Sequence, residues 1–318
     1  MKDSKSPLKL SIVTPMYNEE AVVDVFFERL HSSLKPVTEN YEIICIDDGS
    51  CDTTLAKLRQ HADGDSRIKI VSLSRNFGKE IALTAGLASS SGEAVVPIDS
   101  DLQDPPEIIE EMFKQWENGY EVVLAQREDR SSDSRIKRWT SKVFYKVIGK
   151  LADINIPYNV GDFRLLDRKA VECLNQYPER TRFMKGLFAT LGFKEIIIKY
   201  SRPERVAGST KWNYLMLYNL AFEGIISFSS SLLKIWSYIG ITISVGAFIY
   251  GVLLIIKTLI YGTDIAGYAS LMVVLLFMSG LILLSLGIIG EYLARIFIEV
   301  KARPLYIVSE KYGFEKTE

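Results

Sequence analysis

The sequence has few of the residues on which redox, metal-thiolate and histidine chemistry depend. Its 318 residues include three cysteines, Cys45, Cys51 and Cys173, which are widely spaced and form no CxxC pair. This pattern argues against a disulfide framework and a zinc site, and it fits a reducing compartment. The two histidines, His31 and His61, fall in stretches with a helical pattern, which favours a place on a helix over catalysis.

The chain also lacks an excess of either charge. Its 38 Lys and Arg residues against 39 Asp and Glu residues give a net charge of −1, so no basic field indicates a nucleic-acid partner. The N-terminal sequence MKDSKSPLK has no hydrophobic region of the kind that a secretion signal needs. Neither GxGxxG after the first strand nor GxxxxGK[ST] occurs, which disfavours a dinucleotide-binding domain and a P-loop.

Short apolar runs alternate with helical patterns over the first part of the chain. We predict strands at 8–14, 41–46, 68–73, 94–98 and 120–125. Helices are predicted over about 20–34, 52–62, 78–90 and 105–118. Because the strands are continuously apolar, we expect an α/β fold with a mostly parallel sheet and helices on both faces. Such sheets bind ligands beyond the carboxyl ends of their strands, where several polar clusters should therefore meet: 15–19, 47–50, 75–79 and 99–104.

Two carboxylates follow the fourth predicted strand in the segment Asp99-Ser100-Asp101-Leu102-Gln103-Asp104. Carboxylates two residues apart can share Mg²⁺ or Mn²⁺, which prefer oxygen ligands and the phosphate oxygens of a substrate. Such an ion would neutralise charge that develops on a leaving diphosphate. The simpler alternative is an acidic turn that caps a helix, but the position at a strand end favours the metal site.

A second acidic pair, Asp47-Asp48, follows the second predicted strand and is followed by Gly49-Ser50. One interpretation is a strand-to-helix turn in which Asp and Ser cap the next helix. The other is that one carboxylate accepts a hydrogen bond from a nucleobase or a ribose. The residues alone leave both interpretations open.

Apolar residues are concentrated in two uncharged stretches, 235–256 and 265–290. At about 1.5 Å per residue, the shorter stretch spans about 33 Å, enough to cross a hydrocarbon core of about 30 Å. We predict transmembrane helices at 235–257 and 267–291. The basic flanks, with Lys234 before the first span and Arg295 after the second, predict that the large domain (1–212) and a tail (292–318) lie in the cytoplasm.

Two further segments have a pattern suited to the membrane surface. Residues 127–146 interleave basic and apolar residues, which predicts an amphipathic helix that is either solvated or lies on anionic lipid. Residues 213–234 are a second candidate for interfacial contact. Small residues recur in the predicted spans and permit the close helix packing of a homo-oligomer.

Several motifs, in order along the chain, resemble family 2 glycosyltransferases of the polyisoprenyl-phosphate type, which include dolichol-phosphate mannosyltransferases and bactoprenol glucosyltransferases. They are TPMYNEE at 14–20, IDDGS at 46–50, SRNFGKE at 74–80, DSDLQDPPE at 99–107, DFRL at 162–165, RVAGSTK at 205–211 and the tail segment 290–306. The resemblance implies a GT-A-type domain and inverting, metal-dependent transfer of a sugar to a polyprenyl phosphate. It favours glucose from UDP-glucose and undecaprenyl phosphate, at the cytoplasmic face of a bacterial plasma membrane.

The resemblance also implies roles for individual residues. Those expected to bind the nucleotide-sugar are Pro15, Tyr17, Glu19, Asp47, Lys79, Asp99, Ser100, Gln103, Arg205 and Lys211. Those expected beside the acceptor phosphate are Arg127, Arg130, Arg135, Lys137 and Ser141. Mg²⁺ or Mn²⁺ would be held by Asp99, Asp101 and Gln103. The expected catalytic residues are Asp101, Asp162 and Arg164, with Asp162 orienting the reactants and general base as the weaker option for it.

This chemistry needs positive charge more than it needs a base. A phosphate monoester has a second pKa of about 6, so the acceptor oxygen is already largely ionised near neutral pH. Alternatives remain: transfer of mannose or an aminosugar, a processive polysaccharide synthase, and a membrane scaffold with a degenerate transferase domain. The QxxRW motif of the processive enzymes is missing, since the nearest string, 135–139, has no glutamine.

Overall fold

The computed structural model describes residues 8–128, 159–180, 182–201, 231–261 and 267–314. In this part of the chain the strands, in order, are β1 Leu10–Met16, β2 Tyr41–Asp47, β3 Ile68–Leu73, β4 Ala94–Pro97, β5 Val122–Arg127, β6 Val160–Asp167, β7 Glu195–Tyr200 and β8 Val308–Tyr312. The helices are α1 Val23–Leu34, α2 Thr54–Gly64, α3 Lys79–Ser89, α4 Ile109–Glu117, α5 Arg168–Gln176, α6 Met184–Ala189, α7 Ser231–Tyr261 and α8 Tyr268–Lys301. A 3₁₀ turn, Pro106–Ile108, precedes α4.

All eight strands form one sheet in the order β7-β5-β6-β4-β1-β2-β3-β8. The pairs β1–β2, β1–β4, β2–β3 and β5–β7 are parallel, whereas β4–β6, β5–β6 and β3–β8 are antiparallel. Successive side chains of a strand face opposite sides, and β1 shows this directly: Ile12 packs in one hydrophobic cluster with Phe26 of α1, and Val13 in a second with Leu83 of α3. The predicted α/β fold with a mostly parallel sheet is therefore confirmed.

All five predicted strands, and the four helices predicted between them, are found within a few residues of their expected bounds. One local expectation is wrong. Asp47 and Ser50 do not cap the next helix, because α2 begins only at Thr54. The backbone N–H of Thr54 instead donates to Asp52 Oδ1 at 3.0 Å. Asp47 and Ser50 are thereby available for contacts between loops.

The helix α8 is 34 residues long. Its segment Val273–Lys301 contains an 18-residue window with a mean hydropathy of 2.6, and no part of that window is buried inside the protein. By length and composition this is the one helix in the described residues that can cross a membrane, while α7 carries a shorter apolar stretch, Tyr238–Leu253. One of the two predicted spans thus has a matching helix, which runs past residue 291 to Lys301, and the other stays a prediction.

Beyond α8 the chain returns to the sheet. The strand β8 pairs antiparallel with β3, with Ile70 opposite Tyr312. The backbone N–H of Ser74 donates to the carbonyl of Ile307 at 2.9 Å. The backbone N–H of Arg180 donates to Glu299 Oε1 at 2.7 Å, near the end of α8. The predicted tail is therefore tied to the same sheet as the site described below. The amphipathic segment after Glu128 and residues 213–230 lie outside the described residues.

Candidate active site

The polar segments after β1, β2, β3 and β4 meet at the carboxyl end of the parallel strands, as predicted. The backbone N–H of Asn18, after β1, donates to Ser50 Oγ at 3.0 Å. The backbone N–H of Cys51 in turn donates to Asn18 Oδ1 at 2.9 Å. Lys79, after β3, contacts Asp99, after β4. Residues distant in sequence thus share one edge of the sheet.

The acidic pair at the end of β2, Asp47 and Asp48, is almost completely buried. Asp47 accepts hydrogen bonds from the backbone N–H of Ser50 at 3.2 Å and from the Ser72 hydroxyl at 2.9 Å. Asp48 accepts from the backbone N–H groups of Phe77 and Gly78 at 2.7 and 2.9 Å. Burial raises the pKa of Asp48, although these two bonds act in the opposite direction. Asp48 therefore fixes the loop that leads into Lys79.

Gly49 allows this loop to approach. Its φ is +70°, a conformation that glycine adopts readily. A Cβ atom at this position would lie 2.4 Å from the carbonyl carbon of Arg75. Close contact between the turns after β2 and β3 therefore requires a residue without a side chain here.

Lys79 bridges two carboxylates at the start of α3. Its Nζ lies 2.7 Å from Asp99 Oδ2 and 2.9 Å from Asp162 Oδ2. Burial disfavours the charged ammonium, but Asp99 and Asp162 outweigh it and raise the pKa of Lys79 well above its usual value. Burial likewise disfavours the charged form of Asp162, yet Lys79 and then Lys185 hold the pKa of Asp162 well below its usual range. The site therefore contains a fixed alternation of negative, positive and negative charge.

Asp162 lies on β6 with 14% of its side chain exposed. Its second oxygen, Oδ1, is buried and has no hydrogen-bond partner among the residues that the structure describes. That oxygen is available to accept a hydrogen bond from a ligand. Glu80 lies close enough that burial and then the charge of Asp162 raise the pKa of Glu80 to about 7. Its Oε2 accepts from the backbone N–H of Met184, at the start of α6, at 3.1 Å.

Arg164 is on the same strand but is only 5% exposed. Its Nη2 donates to the carbonyl of Gly161 at 2.5 Å, and its guanidinium stacks on the ring of Phe188 at 3.9 Å. After Lys79 and Lys185, its charge also helps to keep Asp162 ionised. The structure therefore places the predicted catalytic Arg164 inside the protein, where it acts on the field around Asp162.

The loop 99–104 carries the predicted metal ligands. Asp101 Oδ1 accepts from the backbone N–H of Gln103 at 3.1 Å, and Ser100 is 5% exposed. Gln103 Oε1 is buried and has no hydrogen-bond partner within the described ranges. An unsatisfied oxygen in the same loop as two aspartates suits a hard cation such as Mg²⁺ or Mn²⁺. In the described part of the chain no group of three His, Cys, Asp or Glu side chains forms a metal cluster.

Some of the remaining predicted residues lie at this edge of the sheet, and the others lie outside the residues that the structure describes. Pro15 lies in β1, Tyr17 is 36% exposed just after it, and the backbone N–H of Glu19 donates to Thr54 Oγ1 at 2.8 Å. Arg127 ends β5, where it contacts Asp104 and Tyr200. The predicted residues outside the described part are Arg130, Arg135, Lys137, Ser141, Arg205 and Lys211.

Four residues with a structural part in the site were not predicted: Asp48, Glu80, Asp104 and Tyr200. Asp48 and Asp104 lie inside motifs noted above, so their acidity beside a strand end was a usable signal. Glu80 follows Lys79 directly. Tyr200 lies in an ordinary strand pattern, and its sequence surroundings give no signal.

Comparison with known proteins gives consistent matches. The model of the family described as glycosyl transferase family 2 matches residues 11–174, just over half of the chain. An uncharacterised glycosyltransferase of Synechocystis is 53% identical over 97% of this chain and 97% of its own length. The SfII prophage-derived bactoprenol glucosyl transferase of Shigella flexneri is 46% identical over 96% of this chain and 99% of its own. A prophage bactoprenol glucosyl transferase homolog of Escherichia coli is 45% identical, covering 95% and 98%.

Proposed function

The chain belongs to glycosyl transferase family 2, and from that premise we propose that it transfers a sugar from a nucleotide-sugar to a polyprenyl phosphate. It is a glycosyltransferase with an α/β domain of the GT-A type. The lipid acceptor is supported by relatives named bactoprenol glucosyl transferases, which match nearly the whole chain. The same names support glucose as the sugar, and we propose UDP-glucose as the donor and undecaprenyl phosphate as the acceptor.

The observation that carries this proposal is the Lys79 bridge between Asp99 and Asp162. A transfer between two phosphates brings two anions together, and catalysis then depends on positioned positive charge. Lys79 supplies such a charge between the loop 99–104 and the strand that carries Asp162. A divalent ion held by Asp99, Asp101 and Gln103 would supply further positive charge for the leaving diphosphate.

Asp162 is better suited to orient a reactant than to remove a proton. Its pKa is held well below the usual range by Lys79 and Lys185, against the effect of burial, so it is a weak base. A strong base is also unnecessary, because a phosphate monoester is largely ionised near neutral pH, its second pKa being about 6. We propose a single in-line displacement at the anomeric carbon, which inverts its configuration.

The acceptor lipid explains why an apolar helix accompanies the site. We propose that α8 spans the membrane, that α7 forms the second span, and that the catalytic domain and both termini lie in the cytoplasm of a bacterium. The support is the length and exposed apolar surface of Val273–Lys301, together with the positive charge at its end. The return of β8 to the sheet keeps the domain close to that end of the helix.

The test is transfer by the full chain in detergent or nanodiscs. Radiolabelled UDP-glucose, GDP-mannose and a nucleotide aminosugar are each incubated with undecaprenyl phosphate and Mn²⁺, Mg²⁺ or EDTA. We expect labelled lipid from UDP-glucose only, none with EDTA, and inverted configuration in the product by NMR. The Asp99→Asn variant should lose this activity, whereas Asp24→Asn, which alters an exposed aspartate paired with Lys57, should keep it. Lipid labelling that is equal with EDTA, or absent with every donor, contradicts the proposal.

A further inference from the structure

A second group of polar side chains joins the loop 99–104 to two strand ends. Arg127 ends β5 and Tyr200 ends β7, and the two residues are partners in the register of this parallel pair. The Tyr200 hydroxyl donates to Asp104 Oδ1 at 2.5 Å, and Arg127 Nε donates to the Tyr200 oxygen at 3.2 Å. Arg127 Nη2 lies 3.8 Å from the same Asp104 oxygen. We refer to these three residues as the Asp104 triad.

Asp104 and Tyr200 are buried, so losing a hydrogen bond between them would destabilise the folded protein. Asp104 is 4% exposed and Tyr200 6%, and the Tyr200 ring packs edge-on against Phe163 with centroids 6.1 Å apart. Burial and then Asp104 raise the pKa of Tyr200, so its hydroxyl keeps its proton and remains a donor. A buried carboxylate that loses a donor pays a desolvation penalty of about 1–3 kcal/mol or more. One arrangement of the three side chains is therefore strongly favoured.

The loop that ends in Asp104 is also constrained from within. Leu102 has a φ of +56° although it is not a glycine, and its side chain is fully buried. A non-glycine residue in this region costs on the order of 1–3 kcal/mol and persists only where the surroundings enforce it. The burial of Leu102 and the bonds to Asp104 together enforce this conformation. The positions of Asp99 and Gln103 in the loop depend on it.

Arg127 is the member of the triad that the family resemblance places beside the acceptor phosphate. Burial disfavours the charge of Arg127, but Asp104, Tyr200 and Asp99 outweigh it and raise the pKa of Arg127. The guanidinium is therefore oriented by Asp104 and Tyr200 and lies within the field of Asp99. Its side chain remains 23% exposed, so one side of it can face a ligand.

We propose that Asp104 and Tyr200 are positioning residues that hold the diphosphate-binding loop 99–104 and the Arg127 guanidinium in one fixed relation. This rests on the proposed function, in which the loop handles the donor diphosphate, and on the role implied by the family resemblance, which places Arg127 beside the acceptor phosphate. An in-line displacement requires donor and acceptor to be held at a set distance and angle. Asp104 and Tyr200 supply that geometry through a shared carboxylate and touch neither substrate.

The test uses Tyr200→Phe, which removes one hydroxyl and keeps the ring that packs on Phe163. The matched control is Tyr177→Phe. In the wild-type chain the Tyr177 hydroxyl accepts a hydrogen bond of 3.1 Å from Thr190 Oγ1, and neither residue belongs to the triad. We expect Tyr200→Phe to raise the KM for lipid phosphate and to lower kcat/KM about tenfold or more, the loss expected for one hydrogen bond to a buried charge. Hydrogen exchange should also become faster at the amides of residues 99–104. Tyr177→Phe should change neither quantity.

Two results would overturn the proposal. One is a Tyr200→Phe enzyme with the wild-type KM and wild-type exchange in the loop. The other is a lower melting temperature with an unchanged KM, since a purely structural role reduces the amount of folded enzyme and not its affinity for the acceptor. If the wild-type chain transfers no sugar at all, the proposed function fails. The exchange experiment needs no substrate and still decides whether the hydroxyl holds the loop.

Discussion

Replacing Lys79 by methionine removes the positive charge from the bridge and keeps a side chain of similar length. Because Nζ lies 2.7 Å from Asp99 Oδ2 and 2.9 Å from Asp162 Oδ2, the two oxygens are at most 5.6 Å apart. Two unit negative charges at that distance repel each other by about 3 kcal/mol at an effective dielectric constant of about 20. Lys79 compensates this repulsion in the wild-type chain, so its removal leaves the repulsion uncompensated and raises the affinity of the pair for a proton by about a hundredfold or more.

The sign of the effect on pH dependence follows from this repulsion. In the wild-type chain Lys79 keeps Asp162 ionised well below the usual pH range of an aspartate. In Lys79→Met the pair takes up a proton at higher pH, and a protonated carboxyl binds a divalent ion poorly. We therefore expect the pH midpoint for Mn²⁺ binding, measured by EPR on the full chain without donor, to rise by about two pH units.

The control is Lys9→Met. It breaks an exposed ion pair between Lys9 and Glu93, whose N–O distance of 2.7 Å equals that between Lys79 and Asp99. Exposed pairs of this kind contribute about 0–1 kcal/mol, so the midpoint of this variant should stay at the wild-type value. An unchanged midpoint in Lys79→Met would refute the reasoning, because it would mean that the charge of Lys79 does not keep the two carboxylates ionised. Equal changes in both variants would refute it as well.

Two further variants test the surroundings of the bridge. The pKa of Glu80, raised to about 7 from 4.5 by burial and Asp162, means that the folded chain binds more protons than the unfolded chain, so its stability should fall as pH rises between these values. Glu80→Gln should abolish this fall in thermal-unfolding scans; a wild-type slope in the variant would contradict it. Gly49→Ala should destabilise the chain by about 1–3 kcal/mol more than Gly192→Ala. Both positions have a positive φ, but only at Gly49 would the new methyl strike a neighbour, Arg75. Equal losses would disprove the clash.

The strands that the sequence predicts well are those buried on both faces. β1 to β4 are runs such as LSIVTPM and YEIICID in which almost every residue is buried, so the run itself marks the strand. β8, with the sequence VSEKY, is a partly exposed edge strand whose pattern resembles a loop. Its partner β3 is more than 200 residues away in the chain. Pairing over that distance depends on the assembled fold, which local patterns do not report.

The site divides in a similar way. That the acidic segments meet at one edge follows from the order of strands and helices, and the sequence predicts it. That Lys79 joins Asp99 to Asp162 does not follow, because it depends on the direction of three side chains from three elements. Arg127 shows the same limit. The family resemblance implies a place beside the acceptor phosphate, whereas its contacts with Asp104 and Tyr200 become visible only when β5 lies beside β7.

The position of β8 also determines when the catalytic domain can finish folding during synthesis. Until β8 arrives, the outer edge of β3 carries unpaired backbone N–H and C=O groups, and such edges favour aggregation. The ribosome makes β8 only after the whole of α8, so the edge stays open while the apolar helix emerges. If α8 spans the membrane as proposed, its insertion into the bilayer and the closure of the sheet are consecutive events. A nascent chain whose helix is inserted late exposes both an apolar helix and an open strand edge at once, the combination from which misassembly starts.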